Sequence, residues 1–186
     1  MVIKSYDDYL LHLGETYLLD FITIIKYEGS KAIRRHFGAS NDRYSYGYAL
    51  VFSRIISLML EQAKAYNLPL NELFLDDINS DEDLLLGIGT YNYVQSQNNK
   101  RNYLLDLIYI IKNEALVAVK EYNNSRAKEN DDEYKLGLAH AYSRIVSILL
   151  QQTIAFNIPL SKLGLDDINP DKNLLEGEDY RGYGQI

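Results

Sequence analysis

The chain carries the same segment twice, and that repeat constrains its fold more than any other feature. Tyr17–Gly38 aligns on Tyr103–Asn124 at an offset of 86, with 10 of 22 positions identical. Tyr44–Asn79 aligns on Tyr134–Asn169 at an offset of 90, with 19 of 36 identical. The change of offset puts four extra residues around NNSRAKENDD, and insertions of that kind fall in loops. The repeats therefore span residues 15–87 and 101–177 of a single domain covering 1–186. A unit that recurs must fold the same way twice, so each local signal can be read in duplicate.

Each unit reads as two helices and a tail. In YLLDFITIIKYEGSKAIRRHF the apolar positions Leu18, Phe21, Ile22, Ile25, Ala32 and Ile33 mostly keep helical spacing. The β-branched run FITII also suits a buried strand, but the stretch is too long for one and has no turn signal. The second helix starts after Asn41-Asp42, a capping pair. Its stripe is Ala49, Phe52, Ile56, Met59, Leu60 and Ala63, matched by Ala139, Tyr142, Val146, Leu149, Leu150 and Ile154. Both stripes stop at Asn-x-Pro (Asn67-Leu-Pro69, Asn157-Ile-Pro159), where proline ends one helix and opens a short one. The expected fold class is all-α: four long helices in two duplicated hairpins related by a pseudo-twofold axis. A short separate N-terminal helix, about Ser5–His12, is expected to precede them, and a short helix and acidic loop to follow each hairpin.

Composition narrows the function classes. No apolar run reaches the roughly 20 residues a membrane span needs. Asp7 and Asp8 sit where a signal peptide would be apolar, so the expectation is a cytoplasmic protein without a membrane role. With no Cys, disulfides, thiolate nucleophiles and Cys-ligated zinc are excluded. The net charge of −7 runs against a nucleic-acid partner on average, although Lys31, Arg34 and Arg35 leave room for a local basic patch.

The recurring LDDIN poses a choice. Asp167, Asn169, Asp171, Asn173 and Glu178 fall on the ligand spacing of a calcium-binding EF-hand loop. The sixth position, which needs glycine, is Lys172 in one copy and Glu82 in the other, and Ile88 stands where the first copy needs its bidentate acid. A structural role fits better. Arg54 and Arg144 each precede an Asp pair by 22 residues and lie in otherwise apolar helix stretches. An Arg in such a place seeks a carboxylate. The expected clamps pair Arg54 with Asp76, Asp77 or Asp20, and Arg144 with Asp166, Asp167 or Asp106. The surplus acids Asp81, Glu82, Asp83, Asp171, Glu176, Glu178 and Asp179 are either a solvated face or a partner-binding surface.

No catalytic constellation is legible. His12, His36 and His140 match no metal pattern, and the helix serines Ser53, Ser57, Ser143 and Ser147 lack a nucleophile-elbow glycine frame. No cofactor is expected. Tyrosine is abundant, with 17 Tyr against 5 Phe and no Trp. Tyr91, Tyr93 and Tyr180 join the candidate partner surface, because Tyr buries area while keeping a polar tip. Half-buried bundle positions are the other reading of that enrichment.

The size, acidity and the doubled pattern Y-x-x-G-x-A-x-x-x-S-R-I-x-S / N-x-P-L-x-x-L-x-L-D-D-I-N together resemble bacterial toxin-immunity proteins of the contact-dependent inhibition and polymorphic toxin class. The resemblance implies a non-enzymatic protein that binds a cationic toxin domain, for example a nuclease, through an acidic surface. It assigns no residue a role. Two other readings stand beside it: a self-associating structural or regulatory helical module, and a metal- or small-ligand-binding bundle.

Overall fold

The computed structural model describes residues 6–38, 42–78, 97–128 and 132–168. These form four long α-helices: α1 (Tyr6–Gly38), α2 (Arg43–Ala65), α3 (Gln97–Arg126) and α4 (Glu133–Ala155). Short 3₁₀ turns at Leu70–Leu73 and Leu160–Lys162 follow α2 and α4. The all-α class is as expected. The separate N-terminal helix is not: residues from Tyr6 onward belong to α1 itself. Gly14 is a weak helix former, but a single glycine costs only about 1 kcal/mol and does not stop a helix that has no proline or capping residue to end it.

The ends of α2 and α4 follow from local chemistry. Asp42 and Asp132 cap them, each side chain accepting from a backbone N–H two residues on, Tyr44 at 3.0 Å and Tyr134 at 3.2 Å. At the other end Asn67 and Asn157 take the left-handed conformation, with φ of 52° and 51°. The Asn67 N–H bonds Lys64 O, and the Leu68 N–H bonds Ala63 O. The Asn157 N–H bonds Ile154 O, and the Ile158 N–H bonds Thr153 O. This is a Schellman closure in both copies, with the following apolar residue buried as that motif prefers.

Both hairpins are antiparallel, and α2 runs parallel to α4. Gly47 and Gly137 bring the N-terminal ends of α2 and α4 into backbone contact: a Cβ built on either would lie 2.4 Å from Tyr134 O or 2.2 Å from Tyr44 O. At the opposite end the buried Tyr17 hydroxyl donates to Leu149 O at 3.0 Å, and the Tyr103 hydroxyl donates to Met59 O at 3.1 Å. These contacts relate matched positions of the two repeats, each reaching into the other hairpin.

The α2–α4 pair forms the centre of the bundle and its most extensive packing. That centrality explains two departures from the expected stripes. Val51, Ile55, Ala141, Ile145 and Ile148 are buried as well, because a central helix is covered on more than one side. Ile154, placed on the apolar stripe by periodicity, is 77% exposed, at the end of α4 where the matched residue of α2 is Lys64.

Candidate protein-docking surface

The two LDD tails are fixed to the bundle in the same way. Leu73 and Leu75 in the first copy, and Leu163, Leu165 and Ile168 in the second, are buried and anchor each tail beyond its 3₁₀ turn. A lysine on the neighbouring helix completes each anchor. Lys26 of α1 donates to Phe74 O and pairs with Asp77. Lys112 of α3 donates to Gly164 O at 2.9 Å and to both Asp167 oxygens at 3.0 and 3.1 Å. The Lys112 bond holds the Asp167 carboxyl below its usual range.

The expected clamp residues therefore need correcting. Arg54 does not pair with Asp76, Asp77 or Asp20. It lies on the side of α2 that faces α3 and forms a fork with Glu114, whose Oε1 and Oε2 both lie 3.1 Å from its Nε. Arg144 likewise crosses the repeat boundary, to Glu28 at 3.6 Å, and not to Asp166, Asp167 or Asp106. The tails pack on the α1 and α3 sides, where lysines reach them. Asp20 and Asp106 take neutral donors from the other hairpin: Gln152 Nε2 at 2.7 Å and the Tyr66 hydroxyl at 2.5 Å. The Asp106 bond raises the Tyr66 pKa.

The two Arg–Glu pairs are unequal. Tyr142 adds a third member to the first, its hydroxyl donating to Glu114 Oε2 at 2.6 Å. The matched residue near Glu28 is Phe52, which has no hydroxyl. Burial alone pushes the Glu114 carboxyl up, but the Arg54 and Tyr142 hydrogen bonds and the guanidinium charge together hold it below its usual range. Burial and the bond to Glu114 raise the Tyr142 hydroxyl, so it stays a donor. His140 accepts or donates at Nδ1 to the Tyr44 hydroxyl at 3.1 Å, and burial pushes its pKa down.

The anchored tails leave a defined surface. Asp76, Asp77, Asp166 and Asp167 are exposed. Each pair sits beside an exposed ring, Phe74 (52%) in the first copy and Tyr109 (63%) in the second. The aromatic moves from tail to helix between copies: Thr23 and Phe74 in one correspond to Tyr109 and Gly164 in the other. In the second copy an open hollow of about 310 Å³ is lined by Leu105, Asp106, Tyr109, Lys112, Leu163 and Gly164. The acids Asp81, Glu82, Asp83, Asp171, Glu176, Glu178 and Asp179, with Tyr91, Tyr93 and Tyr180, lie outside the described residues.

Sequence reasoning missed Lys26 and Lys112 as tail anchors. Their signal was present, since both lysines recur at the 86-residue offset within otherwise apolar runs. Tyrosine divides between the two readings: Tyr17, Tyr103 and Tyr142 are buried, while Tyr27, Tyr46 and Tyr109 are exposed. Among the described residues, no group of His, Asp and Glu is placed to hold a metal ion, and no helix is long and apolar enough to cross a membrane. No protein family, curated protein or solved structure matches this chain.

Proposed function

We propose that this protein acts by binding another protein, as an immunity protein that neutralises a cationic toxin domain. One observation carries the reading: each tail is held to the bundle so that an exposed Asp pair stands beside an exposed aromatic ring. A ring supplies contact area, and carboxylates held in place steer a basic partner and lose little entropy on binding. The sequence that follows Ile78 and Ile168 is also rich in acids. Blocking a nuclease by presenting carboxylates where phosphates would bind needs no chemistry from the inhibitor.

The test is co-expression with the product of the adjacent gene, scored by rescue of growth and by calorimetry of the purified pair. The expected result is rescue and a stoichiometric complex whose association slows as salt rises. Phe74→Ala with Tyr109→Ala, or Asp76→Asn with Asp166→Asn, should weaken it without unfolding the bundle, since these side chains are exposed. Neither rescue nor complex, with every variant behaving as wild type, would discard the reading.

A second reading is favoured by a separate observation. Tyr109, Leu116 and Val117 expose apolar surface along α3, which suits self-association through that helix. A mass that rises with concentration in sedimentation equilibrium, and stays monomeric in Val117→Lys, would establish it.

A further inference from the structure

The C-terminal part of α1 and the start of α2 gather cations and rings. Lys31, Arg34 and Arg35 are exposed near the end of α1, and Arg43 is exposed at the start of α2. Among the described residues no carboxylate pairs with Lys31, Arg34 or Arg35, whose charges stand within five residues of one another. The nearest acids in sequence are committed elsewhere, Glu28 to Arg144 and Asp42 to capping α2.

Aromatic rings lie among these charges. Phe37 is 82% exposed. The His36 ring lies 5.8 Å from Phe37 and 5.2 Å from Tyr46, and Tyr46 stacks on Tyr134 at 5.8 Å. Tyr27, also exposed, has Lys31 Nζ 4.4 Å from its ring centre. On α1, Tyr27, Lys31 and Arg34 share one face by helical spacing.

The duplicated fold does not require this surface. At the matched positions of the second repeat, Tyr27, Lys31, Arg35 and Phe37 become Asn113, Val117, Glu121 and Asn123, and Arg43 and Tyr46 become Glu133 and Leu136. The buried residue between them is Ala in both copies, Ala32 and Ala118. Arg34 keeps its charge as Lys120 and His36 becomes Tyr122, so the same core is built with and without the clustered cations and Phe37. The net charge of −7 is an average over the whole chain and does not exclude a local basic surface.

We infer that the end of α1 and the start of α2 bind single-stranded nucleic acid, with Lys31, Arg34 and Arg35 on phosphates and Phe37 as the stacking platform for bases. Exposed rings interleaved with cations that lack acidic partners are what such a ligand needs, phosphates taking the cations and bases the ring faces.

The test is fluorescence anisotropy of a labelled oligothymidylate of about 12 nucleotides, long enough to cross this surface. Three phosphate contacts give a salt slope of about −2, so affinity should fall about 20-fold between 50 and 200 mM salt. Arg34→Gln with Arg35→Gln should bring the slope to about −0.7, since one phosphate contact remains. Phe37→Ala should weaken binding about 5-fold or more while leaving the slope unchanged. Lys120→Gln on the second repeat should change neither. Absence of binding up to about 100 µM protein at 50 mM salt overturns the inference. So does equal affinity for poly-glutamate together with an unaffected Phe37→Ala variant, which would make the surface a docking site for acidic protein.

Discussion

Replacing Gly47 by alanine tests the parallel α2–α4 centre most directly. In an ordinary helix interior, Gly→Ala stabilises by about 1 kcal/mol, because alanine has less backbone freedom to lose. Here the added Cβ would lie 2.4 Å from Tyr134 O, about 0.6 Å inside the 3.0 Å that real Cβ contacts respect, and Tyr134 O is backbone that cannot rotate away. At Gly137 the distance to Tyr44 O is 2.2 Å. The helices must part by more than half an ångström along their buried seam, and gaps of that size forfeit a quarter to a half of each atom-pair attraction. Overpacking of this kind costs about 1–3 kcal/mol; with rigid backbone as the obstacle the upper end applies, and after the propensity gain we expect a net loss of about 2 kcal/mol. For a chain of this length that is a fall in Tm of roughly 4–8 °C, read by circular dichroism with urea melts as the check. The double variant should lose less than the sum of the singles, because the separation forced by one Cβ makes room for the other. Gly14→Ala is the control: a Cβ there meets nothing within 4 Å, so it should stabilise. If Gly47→Ala is as stable as wild type or more so, the close approach of α2 and α4 is wrong.

Other outcomes follow from the polar contacts. Glu114 has a folded pKa below its unfolded value of about 4.5, so its stabilisation is present above that pH and is lost as pH falls through the lower folded value. Glu114→Gln should therefore lower stability at pH 7 and flatten the acid limb of a pH–Tm profile below about 4.5. His140 is also held below its ordinary 6.5, so folding is opposed once pH drops through 6.5 and the imidazole must charge. His140→Leu, the residue of the matched position Leu50, should gain stability relative to wild type as pH falls from 7 to 5, measured by chemical denaturation at each pH. Lys112→Met keeps the apolar stem but removes the bonds to Gly164 O and Asp167, so hydrogen exchange at Leu165 and Ile168 should quicken while global Tm moves little.

The sequence and its repeat carried the fold class, the helix cap at Asp42, the Asn-x-Pro terminators and most of the buried stripe. These depend on spacings of a few residues, and a single chain displays such spacings directly. The duplication sharpened them, because a terminator seen twice at a constant offset is hard to mistake.

Partner choice was the part the sequence left open. Arg54 was matched to the Asp pair 22 residues on, yet its partner is Glu114, 60 residues away in the other repeat. Tyr17 and Tyr103 were assigned to the helices, but their hydroxyls cross to Leu149 and Met59. In each case the deciding quantity is the rotation of one hairpin about its axis relative to the other. Side chains that differ by a quarter-turn on a helix look alike in a periodic pattern, and only packing selects which of them faces the neighbouring helix. The same packing turns Gly47 and Gly137 from weak helix formers into the point of closest contact, and leaves Lys26 and Lys112 free to hold the tails. Local chemistry determined what each segment becomes; the contact of the two hairpins decided which charges meet and which remain on the surface.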